Sequence, residues 1–253
     1  MRIFALSDVH VDHDANFKWV CGLSTGDYTQ DILILAGDLT DRLARLDECL
    51  ALLTRRFRKV LFVPGNHDLW VIRERRDMHS LDKFEEVRRV VESHGASMQA
   101  YRAGEVAIVP LLSWYDHSFG QPSPELRAVW MDYRACRWPG HFSEPEITAH
   151  FLSMNEALLQ ERAPTLISFS HFLPRIDVMP AYIGAGGRLL YPVLGSTRLE
   201  IQLRRLKPDI HVYGHSHVNR KVTIDGICYC NNAFGYPGES MYAARQLLCI
   251  HET

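Results

Sequence analysis

Five runs of strand-forming residues, each stopping abruptly at Asp, His or Asn, constrain this chain more than any other feature. They are residues 3–6 before Asp8-Val9-His10, 32–35 before Gly37-Asp38, 60–63 before Gly65-Asn66-His67-Asp68, 166–169 before Ser170-His171, and 210–213 before Gly214-His215-Ser216-His217. Short unbroken apolar runs of this kind read as strands buried on both faces, the habit of parallel sheets. Open α/β sheets bind ligands beyond the carboxyl ends of such strands, so the polar clusters are expected to converge at one edge.

Helical stretches, residues 42–56 and 81–93 among them, alternate with the early strands in a βαβ rhythm. After Asp209 the pattern changes to strands joined by turns at 210–213, 221–224, 227–230 and 246–250, with Asp225-Gly226 as a hairpin turn. A second sheet packed on the first would bury both apolar faces, which gives an α/β fold with two central sheets flanked by helices. One domain over 1–253 is expected, since α/β chains of this length commonly form a single core.

Two segments break the rhythm. Residues 112–145 carry Trp114, Tyr115, Phe119, Trp130, Tyr133 and Trp138 among prolines and glycines. This reads as an insertion with its own satellite core or as a cap that shapes substrate access. The glycine-rich stretch 180–192 reads as a flexible flap, with phosphate binding the weaker alternative because no helix is signalled directly behind it.

No apolar run approaches the ~20 residues of a membrane span, so no membrane association is expected. The chain opens into its first strand at Arg2, and a cytoplasmic location is the default expectation. A formal net charge of −2 speaks against a protein that holds long nucleic acid. The six cysteines lack C-x-x-C spacing and read as small core residues, with neither disulfides nor structural zinc expected.

The order D-x-H, G-D-x-x-D-R, G-N-H-D, a lone His and G-H-x-H resembles that of the calcineurin-like metallophosphoesterases, from Met1 to about Tyr236. The resemblance implies a four-layer α/β/β/α sandwich with two central mixed sheets. It also implies two divalent transition-metal ions per chain, one held by Asp8, His10 and His217 and the other by Asn66, His171 and His215, with Asp38 between them. A set of oxygen and imidazole donors without thiolate suits Mn²⁺, Fe, Zn, Co or Ni, and Mn²⁺ is taken first by family habit.

The implied reaction is hydrolysis of a small phosphomonoester or phosphodiester, a nucleotide or phosphorylated metabolite, by a hydroxide bridging the metals. His67 would assist the leaving group, Asp41 would orient His67, and Arg42 would contact the phosphate. The family's protein phosphatases place Gly after that Arg and end the next motif in Glu, where this chain has Leu43 and Asp68. Both departures weaken the Arg42 role and any protein-phosphatase reading.

Substrate contacts are sought at Trp114, Tyr115, Arg73 and Asn232, although Arg73 with Arg75 and Arg76 also reads as a solvated helix face and Asn231-Asn232 as loop-fixing. His13, His79, His94, His117, His141, His150, His211 and His251 match no motif, and only His13, close to His10, is kept in view. Two rival functions remain. A nuclease of the same superfamily would need a basic groove, and a non-catalytic binding scaffold would be expected to lack part of the ligand set. Oligomeric state is not written in the sequence.

Overall fold

The computed structural model describes all residues except Arg76, His141, Ser240, Tyr242 and Thr253, so the expectations for Arg76 and His141 lie outside the described residues. Strands β1 (Arg2–Leu6), β2 (Ile32–Ala36) and β3 (Lys59–Val63) are parallel and alternate with helices α1 (Asp14–Cys21) and α2 (Leu43–Leu53). Helix α3 (Ser80–Ser93) leads to an antiparallel pair, β4 (Tyr101–Ala103) and β5 (Val106–Pro110). Next come α4 (Pro124–Val129), α5 (Asp132–Ala135), α6 (Glu144–Met154) and β6 (Thr165–Phe169). The chain continues through α7 (Ala185–Arg188), α8 (Thr197–Leu206), β7 (Ile210–Tyr213), β8 (Arg220–Ile224), β9 (Ile227–Asn231) and β10 (Leu248–Glu252).

Two mixed sheets result, one of four strands in the order β10-β1-β2-β3 and one of six in the order β4-β5-β6-β7-β9-β8. Successive side chains of a strand point to opposite faces, and that alternation builds the layers. Ile3, Ile34 and Leu61 of the first sheet share one core with Ile108, Ile167 and Val212 of the second. The intervening residues Phe4, Leu35 and Phe62 pack with Val20, Leu46 and Phe84 from α1 to α3. On the outer face of the second sheet, Val109 and Leu166 pack with Leu199 and Leu203 of α8 and Leu152 of α6. The fold is therefore the α/β/β/α sandwich.

Four details differ from the sequence expectations. The last strand, at 248–252, pairs antiparallel with β1 in the first sheet and does not extend the second. The short pair β4–β5 turns at Gly104, and its outer strand, half exposed and interrupted by Arg102, carries too weak a pattern to be read as a strand. Among the described residues, the aromatic insertion has no separate core. Its Trp114 and Tyr115 belong to the same cluster as Leu46 and Phe84, and both rings lie against Phe172. All six cysteines are free, but Cys21 and Cys249 are exposed, so the core reading fails for those two.

Candidate metal centre

Every polar cluster follows a parallel strand: Asp8 after β1, Asp38 after β2, Asn66 and His67 after β3, His171 after β6, His215 and His217 after β7. Sharp backbone reversal at the strand ends turns these side chains inward. Asp8, His10, Asp38, His215 and His217 all have positive φ, between 45° and 65°. Non-glycine residues seldom adopt this region, and a cluster of them is the kind of stored strain found at functional sites. Close approach also demands glycine: a Cβ on Gly65 would lie 2.2 Å from Asp38 Oδ1 and 2.7 Å from the His171 ring.

Two groups of donor atoms result. In the first, His217 Nε2 lies 3.2 Å from His10 Nε2 and 3.3 Å from Asp8 Oδ1. In the second, His171 Nε2 lies 3.1 Å from both Asn66 Oδ1 and His215 Nδ1. Asp38 stands between them, with Oδ1 3.5 Å from His171 Nε2 and Oδ2 3.9 Å from His10 Nε2. Ligands about 2.1 Å from a shared divalent ion sit roughly 3.0–3.4 Å apart, so the donor spacing within each group fits a metal.

The charge balance fits as well. Burial, then the neighbouring Asp8 and Asp68 carboxylates, push Asp38 well above the usual carboxylate range. His10, His171 and His215 are driven below the usual imidazole range, in each case mainly by burial. Buried carboxylates crowded together beside neutral imidazoles form a site that cations stabilise.

The far nitrogen of three rings is already committed, which leaves the inward nitrogen free to ligate. His171 Nδ1 bonds the Ala36 carbonyl at 2.9 Å, and His215 Nε2 bonds the Val193 carbonyl at 3.0 Å. His217 Nδ1 instead meets the Glu239 carboxylate at 2.5 Å. Burial opposes charge on His217, but Asp8 and Glu239 outweigh it and raise the ring to about 10. Asp8 is correspondingly held low by His217 despite its own burial.

Two buried carboxylates support the centre from behind. Asp68 accepts the backbone N–H groups of Asp38 and Gly65, both at 2.8 Å, and those of Leu39 and Thr40, both at 3.1 Å, which ties the β2 and β3 loops together. Asp132, from the aromatic insertion, accepts from Asn66 Nδ2 at 2.8 Å, Trp70 Nε1 at 2.7 Å and Trp130 Nε1 at 2.8 Å. The Asn66 amide is thereby turned with its oxygen towards His171.

His67 stacks on Trp70 with ring centroids 3.6 Å apart, and its Nε2 lies 3.2 Å from the Tyr236 hydroxyl and 4.0 Å from Asp38 Oδ2. Burial, then the nearby His171 and His217, push its ring down to about 3, so it is neutral without metal. A neutral imidazole still offers an N–H to a departing oxygen.

Several expected contacts lie elsewhere. The Asp41 carboxylate faces Arg73 at 3.4 Å and Arg42 Nε at 3.9 Å, and the partner of His67 is Tyr236. The cause is the buried Lys83, whose Nζ donates to the carbonyls of Asp41 and Trp70, both at 2.5 Å, and pins the two loops side by side. The Arg42 side chain is 58% exposed and does not line the cavity, and Arg73 is likewise half exposed. Trp114 and Tyr115 are each only 1% exposed. Burying such rings stabilises the fold by about 3 kcal/mol each, which keeps them in the core and away from substrate. The buried Asn232 donates its amide to the carbonyls of Ala5 and Gln246 and fixes a loop. His13 lies edge-on to Tyr236, 5.5 Å between centroids, outside both donor groups.

A cavity of about 340 Å³ opens over the donors, lined by Asp38, Asn66, His67, His215 and His217 on one part and by Trp70, Val129, Trp130, Met131, Leu190 and Tyr236 on the rest. Sequence reasoning missed Glu239, Asp132 and Tyr236, none of which belongs to a motif, although a carboxylate or phenol backing a ligand is a general requirement of such sites.

With this site at the strand ends of an α/β/β/α sandwich, the profile of the calcineurin-like phosphoesterases matches residues 1–219, and the chain belongs to that family of metal-dependent phosphoric ester hydrolases. Among its relatives is the acyl-carrier-protein phosphodiesterase PptH of Mycobacterium tuberculosis, 28% identical over 256 aligned residues that cover 94% of this chain and 78% of the relative. The crystal structure of phosphopantetheinyl hydrolase PptH from M. tuberculosis superposes with a TM-score of 0.78 at 26% identity, over 94% of this chain and 90% of that chain. A further solved structure, 12% identical with a TM-score of 0.55 over 92% of this chain and 90% of that one, shares the fold. Among the described residues, no helix is long and apolar enough to cross a membrane.

Proposed function

We propose that this chain hydrolyses a phosphodiester at a two-metal centre, and that its substrate is the phosphodiester joining a phosphopantetheinyl group to an acyl carrier protein. The observation that supports the reaction is the placement of Asp38, whose two carboxylate oxygens face different donor groups. The substrate reading rests on the similarity to PptH along 94% of the chain. In this reading Asp8, His10 and His217 would hold one ion and Asn66, His171 and His215 the other, with Asp38 serving both groups. Two divalent ions supply charge neutralisation of the phosphate and water acidified to near-neutral pKa. Donors that mix oxygen and nitrogen without sulfur suit Mn²⁺, Fe, Zn, Co or Ni without ranking them, and Mn²⁺ is tried first by family habit.

The protein's own groups do the rest. His67, at the cavity wall, hydrogen-bonds the departing oxygen, and Tyr236 and Trp70 hold the ring in place from its edge and its face. Asp132 keeps the Asn66 oxygen aimed at the centre.

The test is direct. Protein loaded with Mn²⁺ is offered a phosphopantetheinylated acyl carrier protein beside phosphomonoesters, cyclic nucleotides and nucleoside diphosphate conjugates. The carrier is followed by intact-mass spectrometry. Conversion of the carrier to its unmodified form, with the highest kcat/KM of the panel, supports the reading. An unmodified mass that never appears while another class turns over removes the substrate and leaves the two-metal hydrolase.

A further inference from the structure

We infer that Val129, Met131 and Leu190 form an apolar shelf at the mouth of the metal cavity, and that this shelf binds an uncharged, acyclic arm of the phosphodiester while the cavity disfavours any arm carrying further phosphates. The inference deepens the phosphodiester reading and rests on it.

The first observation is where exposed apolar groups lie. Val129 is 68% exposed, Met131 39% and Leu190 38%, yet all three line the one cavity that holds the metal donors. Folding does not require them there, since none contributes to the buried clusters. They come from two distant segments, Val129 and Met131 from the end of α4 and its link to α5 and Leu190 from just after α7, so their meeting is a product of the tertiary fold. Apolar residues beside a few convergent polar groups are the usual composition of a small-molecule site.

The second observation is charge. None of the described residues lining the cavity is Lys or Arg, and its acidic members include Asp38, Asp132 and Glu239. One phosphate can be neutralised at the metal donors. A second phosphate would meet Glu239 and no cation, so nucleoside diphosphates and their conjugates are disfavoured. The third observation is shape. A volume of about 340 Å³ stands at the small end for ligand sites. One face of Trp70 is already covered by His67, and Trp130 is fixed by its bond to Asp132 with its ring edge-on to His215. A slender chain fits this space better than a base and sugar.

The experiment uses the Mn²⁺-loaded protein and p-nitrophenyl phosphodiesters whose second arm is methyl, propyl, N-acetylaminopropyl or thymidine 5′-yl. The leaving group is constant, so differences in kcat/KM report the arm. The expected result is a rise of roughly tenfold from methyl to the longer uncharged arms, carried in KM, as a few methylenes in an apolar site supply. The thymidine arm should fall below the propyl arm. Val129→Asp and Leu190→Ser, both at exposed positions, should erase the gain with arm length. Persistence of that gain in both variants, or preference for the thymidine arm, would overturn the shelf while leaving a phosphodiesterase. Absence of turnover on every diester, with turnover of p-nitrophenyl phosphate, would remove the phosphodiester reading and the shelf with it.

Discussion

In the first donor group the ring of His217 is backed by a carboxylate, Glu239, whereas in the second both rings are backed by main-chain carbonyls, those of Ala36 and Val193. Glu239 follows β9 and its side chain is 34% exposed, while Asn66, His171 and His215 are all buried. The Glu239 carboxylate, with Asp8, outweighs burial at His217, whereas at His171 and His215 burial outweighs the smaller lift that a carbonyl gives. The metal-free protein thus presents a protonated His217 on one side and neutral His171 and His215 on the other. In the proposed reading, metal uptake by the first group would have to displace the proton of His217 and so depend steeply on pH, whereas His171 and His215 of the second group would have none to lose.

The largest effect that can break this comparison belongs to the residue shared by both sides. Asp38→Asn should lower metal content from about two ions per chain to below one, with activity falling in parallel, because the first group keeps only the Asp8 carboxylate and the second loses its sole carboxylate. Elemental analysis after Mn²⁺ loading checks this. Retention of one full equivalent would show that Asp38 serves a single group.

Next comes His67, which stands near both groups. His67→Gln should keep both ions while turnover drops by ~10²–10⁴, and the drop should grow as the leaving alcohol becomes more basic. A uniform drop across leaving groups would show that His67 is not the acid, and loss of an ion would make it a ligand beside His10 and Asp38, an arrangement their proximity allows.

Smaller and more selective effects should come from the supporting carboxylates, about 10–100-fold in metal affinity for one ion each. Glu239→Gln should weaken the first ion. It should also flatten the pH dependence of uptake, since His217 is then no longer held near 10. Asp132→Asn should weaken the second ion by releasing the Asn66 amide, with the pH dependence unchanged. Calorimetric titrations at pH 6.5, 7.5 and 8.5 separate the two, and an identical pH slope in both variants would dissolve the contrast.

The smallest effect lies behind the second sheet's strand end. His211 sits buried between the hydroxyls of Ser168 at 2.8 Å and Ser170 at 3.1 Å, and burial pushes it from 6.5 down to about 3. The unfolded chain takes up a proton that the folded strand refuses. This group therefore costs nothing above about pH 6.5 and destabilises progressively as pH falls towards 3. In chelator-treated protein, His211→Asn should make the loss of unfolding free energy between pH 6 and 4 shallower by about 1.4 kcal/mol per pH unit. Denaturant titrations at these pH values give the slope.

The sequence by itself determined where the chemistry would gather. Strand, turn and polar residue are adjacent in the chain, so a buried parallel run ending in Asp-x-His or Gly-Asn-His-Asp states both the strand end and the side chains beyond it. The unbroken apolar runs of β1 to β3, buried on both faces, likewise determined that the first sheet would be covered on each side. Helix α6 likewise begins at a local signal, the Ser143-x-x-Glu146 capping box.

Only the tertiary structure decided what backs and surrounds those residues. Asn66 meets Asp132 across 66 positions, His67 meets Tyr236 across 169, and His217 meets Glu239 from a different loop. None of these partners has a sequence neighbourhood that marks it. The same holds for the shelf of Val129, Met131 and Leu190, and for Asp41, which Lys83 holds facing Arg73. Local pattern encodes a side chain's direction along its own strand, but the identity of its neighbour depends on how separate segments pack, and that is settled only when the whole core closes.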